Sequence, residues 1–282
     1  MSVPGNSTGG SPAYVLGHSA RELERLGTQA RLIDPMTRRF FREAGIRPGM
    51  RVLDVGSGAG HTALLAAELV GDAGEVVGVD RAPAALATAR GRAEARSLRN
   101  VSFLEGDPAA MSFDRPFDAA VGRYVLMFQP DPISMLRGVA PHVKRGGPIV
   151  FHEPDWQGVR SLPTAPIYEQ CCGWIVETLL ALGNDTRMGM RLYPTFIAAG
   201  LPPPTMGLDA LIGGGKQGVD AAVLIADIVE IMLPAMEQAG VTTAAEARLE
   251  SLKERMTREV LDGGSVLVGR SEVGAWSVSS GG

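Results

Sequence analysis

Between Arg51 and Asp155 the apolar residues come in short blocks, at 51–55, 75–79, 101–104, 117–122 and 148–152, each closed by glycine or an acidic residue. Stretches of helical period lie between them at about 61–70, 83–97 and 132–143. Asp131 and Pro132 make a good start for the last of these, and Lys144-Arg145-Gly146-Gly147 supplies cations and glycine where a helix ends. Strands alternating with helices predict a parallel, doubly wound α/β sheet.

Before this region, residues 14–45 read as one or two helices, Ala20–Leu26 and Met36–Ala44, with weak points at Gly27 and at Asp34-Pro35. After Asp155 helical patterns cover 166–182 and 193–199, and a strand-like run follows at 205–212. Two more helices lie near 217–239 and 243–262, and the final strand is either 265–268 or 273–278. Asp220, Asp227, Glu230 and Glu237 form one polar stripe on an otherwise apolar segment, whose wide apolar face needs a cover: the sheet, a substrate pocket or a second copy.

The most informative junction is Val52-Leu53-Asp54-Val55-Gly56-Ser57-Gly58-Ala59-Gly60-His61, a strand entering a glycine turn and then a helix. Glycines here let backbone N–H groups approach a ligand. A dinucleotide fingerprint would space them G-x-G-x-x-G against a pyrophosphate. The spacing here is G-x-G-x-G, and the carboxylate of Asp54 would repel a pyrophosphate and attract an ammonium. About 20 residues past Gly60, Asp80 ends the second strand-like run, where an acid accepts ribose hydroxyls. S-adenosylmethionine carries the ammonium and the ribose and has no phosphate.

Val52–Gly60, Asp80, Gly106-Asp107 and Phe117–Gly122 with Arg123-Tyr124 together resemble, in order and spacing, the motifs of the class I S-adenosylmethionine-dependent methyltransferases. Gly106-Asp107 is similar to the turn that bonds the adenine amino group. The strings Tyr14–Leu23, Ala44–Met50 and Phe151-His152-Glu153-Pro154-Asp155-Trp156 resemble a bacterial small-molecule branch that includes quinone-biosynthesis and natural-product tailoring enzymes. The resemblance implies a Rossmann-like seven-stranded, mostly parallel sheet with an antiparallel last strand. It divides the chain into a tail at 1–12, a helical lid at 13–48, a cofactor-binding core at 49–155, and the remaining strands at 156–282 with a helical cap inserted at about 217–262.

The same resemblance names a cofactor set: Asp54, Gly56, Ser57, Gly58, Gly60, Asp80, Arg81, Gly106, Asp107, Pro108 and Arg123. Arg123 reads either as a cofactor-side contact or as an exposed ion-pair partner, and His61 as a backbone contact. Methyl transfer from a sulfonium is a direct displacement, which mainly needs alignment and exclusion of water. A base is required only if the acceptor proton leaves early. His152, His18 and Glu153 are the candidates for catalytic work, against packing, capping or hydrogen-bonding roles. Tyr14, Asp155, Trp156, Trp174 and Tyr193 are candidate acceptor contacts, with Tyr168, Phe196 and Met206 as further apolar lining or core.

Composition narrows the acceptor. At net charge −4 the chain offers no field for a polyanion, so nucleic acid is not an expected partner. The first twelve residues lack a basic and an apolar signal region, and the longest apolar helix is interrupted by acids, so neither secretion nor a membrane span is expected. Cys171 and Cys172 are adjacent and alone, which fits buried small residues better than a redox pair or an arsenic ligand, and makes no four-ligand metal site. The expectation is a cytoplasmic S-adenosylmethionine-dependent methyltransferase acting at oxygen, carbon or nitrogen of a small apolar or aromatic metabolite, with a homodimer allowed. Cyclisation or decarboxylation promoted by the same cofactor, or ligand sensing on the same fold, are the alternatives.

Overall fold

A computed structural model describes the backbone over residues 20–280 and the side chains over residues 32–280. Helix α1 (Ala20–Glu43) precedes a sheet whose first five strands are β1 (Arg51–Val55), β2 (Glu75–Asp80), β3 (Val101–Glu105), β4 (Ala119–Arg123) and β5 (Pro148–Asp155). Helices α2 (His61–Val70), α3 (Pro83–Ala95) and α4 (Pro132–Val139) connect them, and all five strands run parallel in the order β3-β2-β1-β4-β5. The order reverses between β1 and β4, which opens a crevice at their carboxyl ends.

The chain continues through a short β6 (Arg160–Leu162), α5 (Pro166–Ala181), α6 (Met188–Ala198), β7 (Thr205–Gly213), α7 (Gly215–Gln238), α8 (Ala244–Ala247), α9 (Leu252–Gly263) and β8 (Val266–Val278). The two alternatives for the last strand are thus one strand. It stays continuous because both edges are paired: β7 pairs antiparallel with residues spanning 267–276, while β5 pairs with 271–278 and β6 with 266–268. Since β6 overlaps β7 on β8, β6 occupies the edge that β5 uses. The eighth strand, unforeseen in the sequence, therefore prolongs β5 around a single 3-10 turn at Trp156–Gly158. The helices α7 to α9 lie between β7 and β8, as the sequence suggested.

Two further boundaries differ from expectation. Residues 20–43 form one helix through Gly27 and Pro35. Proline forfeits one backbone bond, and the buried Ile33, Met36, Phe40 and Phe41 around it hold the helix in place by packing. Phe117, expected in β4, makes only an isolated bridge to Val143.

Side-chain alternation gives the sheet two faces. Phe40 of α1 stacks edge-on against His152, and a Cβ at Gly274 would meet Phe40 at 2.4 Å. On the opposite face, a Cβ on Gly189 of α6 would meet Val273 at 2.9 Å. Even-numbered residues of β5 and β8 therefore face α1, and odd-numbered ones face α6. The apolar face of α7 is covered chiefly by α9 and α5. Its acidic stripe is partly used: Asp227 and Glu230 pair with Lys253, and Glu237 accepts from the Ala244 amide at 3.0 Å.

Candidate functional site

The glycine turn follows β1 at the point where the strand order reverses. Ser57 N–H donates to the Val79 carbonyl at 3.0 Å and Gly60 N–H to the Ser57 carbonyl at 2.8 Å, which fixes the loop on β2. Its glycines serve different needs. At Gly60, φ is +86° and a Cβ would fall 2.8 Å from Ala89 Cβ, so this position packs α2 against α3. At Gly58, φ is +49° and nothing lies within 4 Å of a Cβ. Gly58 thus presents bare backbone to open space.

Asp54 is wholly buried at the end of β1, and neither carboxylate oxygen has a hydrogen-bond partner among the described residues. Burial pushes its pKa well up, and the nearby Arg123 guanidinium only partly offsets this. The Ser57 hydroxyl, also buried, has no partner either. Buried polar atoms are almost always satisfied. Two orphan acceptors beside an open glycine turn fit a ligand that brings a cationic donor, as the ammonium of S-adenosylmethionine does.

Asp80 ends β2. Its Oδ2 accepts from the Gly58 amide at 2.8 Å and its Oδ1 from the Ala82 amide at 2.9 Å, so it braces the turn while each oxygen retains a second lone pair. Gly106 and Asp107 follow β3. Asp107 accepts from the Ala109 amide at 3.0 Å and pairs with Arg81 at 2.5 Å, with Pro108 buried behind it. Arg81 is thus tied to Asp107. His61 opens α2 and its Nε2 meets Arg92 at 2.5 Å.

Past β4 a second polar cluster lies on the α1 face. Arg123, whose side chain is 6% exposed, donates to Asp34 at 2.7 Å and to the Thr37 hydroxyl at 3.0 Å, and so fastens α1 to β4. Arg123 is thus a buried ion-pair partner, not the exposed one of the second reading. Thr37 Oγ1 lies 3.0 Å from His152 Nδ1, and His152 Nε2 lies 2.9 Å from Glu272. A carboxylate can only accept, so Nε2 carries the proton and Nδ1 accepts from Thr37. Burial lowers the histidine pKa, which keeps the ring neutral. Both nitrogens are engaged and the ring is fully buried, so His152 takes the hydrogen-bonding role and has no free lone pair to act as a base.

Glu272 also accepts from Tyr124 at 2.6 Å and ion-pairs with Arg270 at 3.0 Å. Burial alone would raise its pKa, but Arg270, His152 and Tyr124 more than offset that and hold it low. Tyr124 adopts φ +56°, rare for a non-glycine residue, and its hydroxyl pKa is raised mainly by burial. Sequence reading overlooked Thr37, Arg270 and Glu272. One signal was available: two charges at alternate positions of an otherwise apolar strand.

Glu153 turns to the other face, where its carboxylate accepts from the amides of Val125 and Leu126 at 2.8 Å and Met127 at 3.3 Å. Burial pushes it up to about 7 against these amides. It caps the turn after β4, a structural use in place of the catalytic one. Asp155 accepts from the Gln157 amide at 2.9 Å through one oxygen, and its other oxygen is buried without a partner. Trp156 is buried under Arg270, whose Cζ lies 4.9 Å from its ring centroid. Trp174 is half-buried on α5, while Tyr193, 45% exposed, sits on α6 across the sheet from the network. Tyr168 and Phe196 are core residues, and Met206 is exposed on β7. The side chains of His18 and Tyr14 lie outside the described residues.

A family model described as a methyltransferase domain matches residues 46–195, just over half of the 282 residues. The chain belongs to this methyltransferase family. Among relatives, the aklanonic acid methyltransferase DauC of Streptomyces sp. strain C5 is 38% identical over 137 residues, covering 48% of this chain and 61% of that protein. The demethylmenaquinone methyltransferase of Lactococcus lactis is 31% identical over 131 residues, covering 46% of this chain and 50% of the relative. The chain thus spans half to three fifths of the curated relatives it matches. Geranyl diphosphate C-methyltransferase from Streptomyces coelicolor, solved with S-adenosyl-L-homocysteine, superposes with a TM-score of 0.55 at 16% identity, covering 95% of this chain and 87% of that one. That likeness bears on the fold. The methyltransferase match itself spans β1 to β6 and α2 to α5, and ends within α6.

Proposed function

We propose that this methyltransferase uses S-adenosylmethionine to methylate a small apolar or aromatic acceptor. The observation that carries the reading is the pair of orphan oxygens on buried Asp54 beside the open backbone of Gly58. In this reading Asp54 accepts from the amino group of the donor, Asp80 from its ribose hydroxyls and Asp107 from its adenine amine. When bound, the donor supplies an electrophilic methyl group. The chain's part is to align an acceptor with that methyl and to keep water out. Residues 32–43 of α1, tied down through Asp34 and Thr37, form one wall of the acceptor space, and α7 forms another. Among the described residues no side chain of the network is free to act as a base.

The names of the relatives, an acid and a quinone among them, support a small organic acceptor, and the net charge of −4 supports excluding nucleic acid. Among the described residues no helix is long and apolar enough to cross a membrane, and we read the protein as cytoplasmic. Calorimetric titration with S-adenosylhomocysteine tests the proposal. One site is expected, weakened at least tenfold in Asp80→Ala. No binding, or binding that Asp80→Ala leaves unchanged, overturns it.

A further inference from the structure

Beyond β5, the α1 side of the sheet holds donors that the fold does not use. Trp156, 7% exposed, begins the turn after β5, and its Nε1 is buried without a hydrogen-bond partner. An unpaired buried N–H is costly and calls for an explanation. Arg270 lies against the same indole. Its Nη2 donates to Tyr124 at 3.0 Å and its Nε pairs with Glu272 at 3.0 Å, while Nη1 makes no hydrogen bond among the described residues.

The surroundings favour an acceptor of hydrogen bonds over a cation. Glu272 is the acid of this cluster, and its oxygens are already used by His152, Tyr124 and Arg270. Arg270 Cζ also lies 5.2 Å from the ring of Tyr124, the residue after Arg123, so the pair borders the crevice from the β4 side. A pocket of about 180 Å³ opens among Leu32 of α1, Leu211 of β7, and Gln217, Asp220 and Ala221 of α7, and a Cβ on Gly269, next to Arg270 in β8, would lie 3.5 Å from Leu211 Cβ. The pocket thus begins one residue along β8 from Arg270, with Leu32, Leu211 and Ala221 as its apolar lining.

The geometry points to an oxygen-binding subsite in which Trp156 Nε1–H and Arg270 Nη1 donate to a carboxylate or carbonyl group of a planar, apolar acceptor. Arg270 lies over the indole, its Cζ 4.9 Å from the ring centroid, so the two donors belong to one patch, and a charged donor favours a carboxylate. That the bound molecule is the methyl acceptor rests on the function proposed above. The subsite itself does not.

Titration calorimetry of the full chain with 2-naphthoate, 2-acetonaphthone and 2-naphthylmethylammonium, each with and without S-adenosylhomocysteine, tests it. At least one oxygen-bearing probe is expected to bind tenfold or more tightly than the ammonium control. Naphthoate and acetonaphthone separate the carboxylate from the carbonyl. Trp156→Phe removes the N–H together with part of the buried indole, and is expected to weaken naphthoate by about ten- to hundredfold if the carboxylate is the ligand, or acetonaphthone by about threefold to tenfold if the carbonyl is, while leaving the ammonium control unchanged, which separates the lost N–H from lost packing. Equal binding by Trp156→Phe, an equal loss for the ammonium, or an oxygen probe no better than the ammonium overturns the subsite. If S-adenosylhomocysteine binding fails while the probes behave as expected, the donor reading fails and the subsite stands.

Discussion

Replacing Glu272 by Gln asks the most of the buried network. The glutamate is 1% exposed and serves His152, Tyr124 and Arg270 at once. Gln can turn its oxygen toward His152 and Tyr124, but its NH2 then meets the Arg270 guanidinium; turned the other way, it meets two donors. Either way Arg270 is left as a buried charge without a counter-ion. Removing one partner of a buried pair costs about 3–5 kcal/mol. For a chain of this size that corresponds to a fall in melting temperature of about 6–20 °C.

The assay is thermal or urea unfolding of wild type, Glu272→Gln, Arg270→Met and the double variant Arg270→Met/Glu272→Met. The double variant should lose less than the two singles summed, because it leaves no charge stranded. The pH dependence has a definite sign. His152 is held below its ordinary value, so its contribution is present above about pH 6.5 and is lost as the pH falls. Glu272, also depressed, adds a second loss below about pH 4.3 as the pH falls through its folded value. A Glu272→Gln cost under about 1 kcal/mol, or full additivity of the two singles, would refute the network as a coupled unit.

Asp54→Asn should melt higher than wild type when no ligand is present, by about 1–3 kcal/mol, because a buried unpaired charge disappears; as burial raises the Asp54 pKa, this advantage should grow as the pH rises above about 4, and scanning fluorimetry from pH 5 to 8 reads it. Arg123→Ala, which strands Asp34 and deprives Thr37 of a donor, should cost about 1–3 kcal/mol and speed amide exchange in residues 32–43, seen by mass spectrometry. The glycines should separate: Gly58→Ala should lose about 1–2 kcal/mol to its positive φ and weaken S-adenosylhomocysteine binding, whereas Gly60→Ala, which meets Ala89, should lose more stability.

What the sequence revealed was local. The strand–turn–helix at 51–70 places Asp54, Gly58 and Asp80 within about 30 residues of one another, and the spacing that forms the turn also reports its ligand. The β-α alternation up to β5 followed from period alone. His152 and Glu153 were legible as residues at the end of a strand, but not in their use. That depended on Thr37, 115 residues earlier, on Glu272, 120 residues later, and on which face of β5 each side chain takes. Pro35 marked a helix end in the sequence and became interior because Phe40 and Phe41 hold the helix on the sheet. Likewise the long β8 contains Gly269 and charged residues that interrupt its pattern, and only pairing on both edges keeps it whole.

The central claim is that the buried carboxylate of Asp54 awaits an ammonium. Dissociation constants of S-adenosylhomocysteine and its deamino analogue, measured on wild type and Asp54→Asn, address it directly. The account expects the amino compound to bind wild type at least tenfold more tightly, and the difference to vanish in Asp54→Asn. Equal affinities for the two compounds in the wild type would contradict it.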